Sequence, residues 1–114
     1  MVNIMNMLDE IQFFKNATTA GESAYALKNP NLGSQLIVQV SGSATAFELD
    51  IKGAINGGAT IQLGCIDMSS YSVSNKITAN GIYVVAVDGI SNISAELKSV
   101  TGGNVSAYAR LGGA

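Results

Sequence analysis

Eight carboxylates, one thiol and no histidine are what this chain has for chemistry. Histidine is the commonest general base, the commonest activator of a Ser or Cys nucleophile and the commonest metal-binding side chain. Its absence removes most hydrolytic and metal-dependent mechanisms at once. Structural zinc needs clustered Cys and His, which a single cysteine cannot provide. That residue, Cys65, sits in the apolar run TIQLGCIDM and reads as a small buried hydrophobe. No neighbouring histidine exists to hold it as a thiolate, and one cysteine excludes an intrachain disulfide.

Two acid pairs remain. Asp9 and Glu10 are adjacent and read as a solvated helix end. Glu48 and Asp50 lie two apart, on one face of a strand. They could act as a glycosidase-type pair or as calcium ligands. The stronger reading is a wet strand face partly neutralised by Lys52. Gly57-Gly58 and Gly102-Gly103 are hairpin turns rather than phosphate loops, because β-like runs follow them and no helix N-terminus does. Tyr71, Tyr83 and Tyr108 could form a sugar-stacking surface, but the chain has no Trp, the strongest stacking side chain. The expectation is a protein that is not an enzyme and has no cofactor and no metal.

The elements that must carry these residues alternate with period two. AFELDIK places Phe47, Leu49 and Ile51 on one side and Glu48, Asp50 and Lys52 on the other. Leu36, Val38 and Val40 share a face in SQLIVQV. In ISNISAELKSV, Ile93, Ala95 and Leu97 alternate with outward Asn92, Ser94, Glu96 and Lys98. In VSAYARL, Val105, Ala107 and Ala109 oppose Ser106, Tyr108 and Arg110. IQFF, SAYAL, TIQLGCI, SSYSVSNKIT and IYVVAV complete a set of about eight strands, with turn signals at NPNLG, NGG, Asn80-Gly81, Asp88-Gly89 and TGGN. Short strands at this spacing predict an all-β fold: an antiparallel β-sandwich, jelly-roll or Ig-like.

Two domains of organisation follow, an N-terminal arm or short helix over residues 1–10 and a β-sandwich over residues 11–114. The arm is rich in Met and apolar side chains (Met1, Ile4, Met5, Met7 and Leu8) and is expected to pack on a neighbouring surface. The run IYVVAV is apolar on both faces, although an antiparallel sheet normally wets one. The expectation is that Ile82, Val84 and Ala86 enter the core, while Tyr83, Val85 and Val87 are covered by a partner or by the arm.

Composition points the same way. Charged residues make up 12% of the chain, about half the usual ~25%. Polarity comes instead from Ser, Asn and Thr, as expected where other protein covers part of the surface. Net charge is −2 with one arginine and scattered lysines, which argues against nucleic acid. No run approaches a membrane span, and residues 1–11 lack the basic start of a signal peptide, so the expectation is synthesis in the cytoplasm without export.

Residues 36–110 resemble small β-sandwich accessory proteins of tailed-bacteriophage virions, of the head decoration and head-fibre type. The resemblance rests on VQVSGSATAFELDIKGAINGGATIQLGCIDM and on ITANGIYVVAVDGISNISAELKSVTGGNVSAYARL. The family pattern has an aromatic where this chain has Ile61, and Arg where it has Ser94 or Ala95. The resemblance implies a virion structural protein on the major capsid protein or other virion proteins, homo-oligomeric with a trimer favoured, and assembled in the host cytoplasm. It implies no binding residue. A tail or baseplate component binding host polysaccharide is the alternative, and a bacterial surface carbohydrate-binding module is a third reading.

Overall fold

Strict alternation becomes strand. The computed structural model describes residues 10–26, 35–55 and 58–112, and within them every regular element is a β-strand. They are β1 (Glu10–Ala17), β2 (Gly21–Ala26), β3 (Gln35–Ser41), β4 (Ala46–Ala54), β5 (Ile61–Gln62), β6 (Cys65–Asp67), β7 (Val73–Ser74), β8 (Gly81–Ala86), β9 (Asn92–Thr101) and β10 (Val105–Gly112). All pairings are antiparallel. A six-stranded sheet has the order β1-β10-β3-β8-β6-β7, and a four-stranded sheet has the order β2-β9-β4-β5. The fold is the antiparallel β-sandwich that the alternation predicts. The expected strand TIQLGCI is divided into β5 and β6, SSYSVSNKIT keeps only Val73–Ser74 as strand with an isolated bridge at Ile77, and the described strands number ten.

The core between the sheets is one cluster. Leu36, Val38 and Val40 of β3 and Val105, Ala107 and Ala109 of β10, neighbours in one sheet, pack in it with Leu49 and Ile51 of β4 and Ile93, Ala95 and Leu97 of β9 from the other. The run TIQLGCI splits because Ile61 and Gln62 pair with β4 in one sheet, while Cys65 and Ile66 pair with β8 in the other. Leu63 still donates its N–H to the Ile51 carbonyl at 2.8 Å before the chain crosses. Ile77 crosses back and exchanges both backbone hydrogen bonds with Leu49, closing that edge with a fully buried side chain.

At the other end of the sandwich the β3–β4 and β9–β10 connections interlock. Ala44 N–H donates to Asn104 O and Thr45 N–H to Thr101 O. Gly103 has φ +149°, and a Cβ there would lie 2.6 Å from the Ser43 carbonyl, so only glycine fits. On the opposite side, β1 is irregular at Gln12/Phe14 and Phe14/Ala17, which bends the chain from one sheet to the other. Phe13 meets Tyr25 edge-to-face at 5.7 Å, and the Tyr25 hydroxyl donates to Gln12 O, tying β1 to β2 across that bend.

Candidate functional site

The strand that is apolar on both faces has its two faces the other way round from the expectation. Tyr83, Val85 and Val87 are buried in the sandwich core, while Ile82 and Ala86 are exposed and Val84 is half-buried. Register decides this: Tyr83 lies opposite Val38 and Val85 opposite Leu36, both core residues of β3. A one-residue phase cannot be read from a run with no polar side to mark it. Tyr83, Val85 and Val87 therefore meet their own domain. The Tyr83 hydroxyl donates to Ala79 O at 2.7 Å, and burial, with Asp67 nearby, raises its pKa. The other expected contact residues, Met1, Ile4, Met5, Met7 and Leu8, lie outside the described residues.

What remains open is the outer face of the six-stranded sheet, and it has two halves. Over β8, β6 and β7 it is apolar: Ile82, Val84, Ile66, Met68 and Val73 share it, with Ile66 directly between Val84 and Val73 in register. Val73 is 68% exposed on the edge strand. Over β1, β10, β3 and β8 the face is a shallow groove of about 760 Å³. One register row there runs Gln12–Tyr108–Gln39–Ile82, and the next runs Glu10–Arg110–Ile37–Val84. The strand alternation in LIVQV and VSAYARL assigned these side chains outward. It could not show that β10 and β3, about 70 residues apart in sequence, place them side by side.

The outer face of the four-stranded sheet is charged and closed. Glu22, Glu96 and Asp50 line up across β2, β9 and β4. Lys52 bridges Glu96 at 2.6 Å and Glu22 at 3.8 Å, and the hydrogen bond it donates to Glu96 is the main cause of its raised pKa. Asp50, expected on a wet face with Glu48, is fully buried. Lys98 reaches it at 3.2 Å, and Gln62 Nε2 donates to Oδ2 at 2.6 Å. Longer side chains from both neighbouring strands lie over a short carboxylate in the middle of the sheet. Among the described residues Asp50 Oδ1 and Ser94 Oγ have no hydrogen-bond partner, and Ser94, also expected outward, is buried. This burial takes Asp50 out of reach of a substrate. No group of three His, Cys, Asp or Glu able to hold a metal exists among the described residues.

Cys65 is buried, as its apolar run indicates, and its thiol is pushed up to about 11, first by desolvation and then by the Asp50 charge. Tyr71 and Tyr108 do not form one surface with Tyr83, which is inside. Tyr71 stands 74% exposed at the β6–β7 turn with φ +59°. Asp67 anchors that turn by accepting the backbone N–H and hydroxyl of Ser69, and these bonds lower its pKa.

Comparison with known proteins places this geometry. No curated protein sequence matches the chain. The crystal structure of the SPBc2 prophage-derived protein YomS matches with a TM-score of 0.77 and 20% identity, over 88% of each chain. The crystal structure of the PBSX exported protein XepA matches with a TM-score of 0.81 and 22% identity, over 88% of this chain. The chain spans 36% of that protein's length. These likenesses show a shared sandwich. The XepA family model matches residues 7–110, nearly the whole length, and on that match the chain belongs to the XepA family.

Proposed function

We propose that the chain is a non-enzymatic structural protein of a bacteriophage virion, attached to the major capsid shell as a head accessory protein and assembled as a homo-oligomer, with a trimer favoured. Family membership carries the phage assignment, supported by the likeness to the SPBc2 prophage-derived protein YomS and to the PBSX exported protein XepA. The apolar half of the six-stranded sheet supports the structural role. Ile66, Met68 and Val73 are exposed together at a sheet edge, in a chain with few charges to repel a neighbour. The apolar N-terminal segment, residues 1–8, is the second attachment element.

The protein should co-sediment with phage particles in a density gradient of an induced lysate. Removing residues 1–8 should abolish that co-sedimentation without changing the melting temperature. Binding of the truncated chain at wild-type stoichiometry would remove the segment from the reading and leave the sheet face as the anchor. A second reading, action outside the producing cell and apart from the particle, is favoured by the description of the PBSX relative as exported. Recovery only in the particle-free supernatant would select it.

A further inference from the structure

We propose that the groove over β1, β10, β3 and β8 binds a neutral polysaccharide chain. In a protein–protein interface the core is apolar and polar groups gather at the rim. Here two amides flank an aromatic ring inside the groove itself. Tyr108 stands in the middle of the groove, 38% exposed, with the exposed amides of Gln12 and Gln39 directly beside it on the two neighbouring strands. A pyranose ring has the complementary form: a flat face of C–H groups and a rim of hydroxyls that each donate and accept. The aromatic ring meets the C–H face. Each glutamine amide offers two donors and an acceptor to the hydroxyls. Ile37 and Ile82 extend the apolar floor to either side of Gln39, in the two register rows.

Charge and shape narrow the ligand. Glu10 and Arg110 are paired in register at one end of the groove, so the lining carries no net charge. A phosphate or uronate chain gains nothing there, and nucleic acid is disfavoured by the overall charge of −2. The groove crosses four strands, about 14 Å at the ~4.8 Å strand spacing, which suits a short stretch of a sugar chain. It is shallow and open, unlike a pocket that encloses a small molecule. The sugar-stacking role read from Tyr71, Tyr83 and Tyr108 together thus passes to Tyr108 and two glutamines. The proposal is independent of where in the phage life cycle the chain acts.

The test is a titration of the full chain, followed by backbone amide resonances, with chitohexaose as an amino-sugar chain and cellohexaose as a plain glucan. Shifts should cluster at Gln12, Ile37, Gln39, Ile82 and Tyr108 with at least one of the two. Tyr108→Ala and Gln39→Ala should each weaken binding about tenfold, the equivalent of ~1.4 kcal/mol. Both side chains are exposed, so the fold should persist, checked by unchanged melting. Tyr71→Ala, off the groove, should bind as wild type. No shift with either sugar at millimolar concentration, shifts centred elsewhere, or wild-type binding by Tyr108→Ala would each overturn the proposal.

Discussion

Cys65 and Asp50 have no visible chemical role, yet each sets how the protein responds to its surroundings. The Cys65 thiol titrates at about 11 in the folded protein against 9.0 for an ordinary thiol. The contribution of the protonated buried thiol to stability is therefore fully present below pH 9.0 and is lost as pH rises towards 11. Its size is about 3 kcal/mol, from ~1.4 kcal/mol per pH unit. Urea midpoints measured across this alkaline window should fall, and Cys65→Ala should flatten the decline. Lys52 also has a raised pKa, so its contribution is present below 10.5 and lost above it, leaving a residual decline. In native protein at neutral pH an aromatic disulfide reagent should leave the thiol unmodified until unfolding. At Asp50 the partners decide. Lys98→Met leaves the buried carboxylate with Gln62 as its remaining partner among the described residues. It should cost about 2 kcal/mol, below the range for a fully buried pair because Lys98 is half-exposed. Adding Asp50→Asn should recover part of that loss in chemical denaturation.

At the scale of elements, β8 tests the assignment of faces. Val85 is fully buried against β3 and the four-stranded sheet, so Val85→Ala should destabilise by about 2–3 kcal/mol. Ile82→Ser, on the exposed face of the same strand, should stay within about 0.5 kcal/mol. Equal effects in denaturation would mean that the phase of the strand is wrong. The β9–β10 turn is the other sensitive element. Gly103→Ala places a methyl group against the Ser43 backbone and requires a left-handed φ, so a loss of about 2 kcal/mol or more is expected by thermal melting. The same substitution at Gly89, which has open space around its Cβ position, carries only the φ penalty and should cost less.

For the whole molecule, two sheets of unequal width leave unequal outer surfaces. The four-stranded sheet closes its outer face with a lattice of lysine, glutamate and aspartate, and the six-stranded sheet does not. Its face divides into an apolar edge over β6 and β7 and a mixed groove over β1, β10 and β3. Protein contact suits the first and sugar contact the second. The two uses are separable: Val73→Lys at the edge should reduce self-association in analytical ultracentrifugation by shifting the population to smaller species, while leaving sugar titrations unchanged. A shift in both would merge the two halves into one surface.

The linear sequence was enough for the fold class, because period-two alternation in AFELDIK, LIVQV and VSAYARL can bury one face only as strands. It was enough to place Leu36, Leu49, Leu97 and Val105 inside, where polar neighbours marked the phase. The burial of Cys65 was legible for the same reason, an apolar run with no activating partner. Where that mark was absent, only tertiary pairing could decide. IYVVAV has no polar side, so the register with β3 chose Tyr83, Val85 and Val87 for the core. Asp50 looks wet in its own strand and is dry because Gln62 and Lys98 come from other strands to cover it. The groove is of this second kind: Gln12, Gln39 and Tyr108 are each unremarkable outward residues, and strand order alone makes them neighbours. Local pattern fixes which way a side chain points, and non-local pairing fixes what it meets.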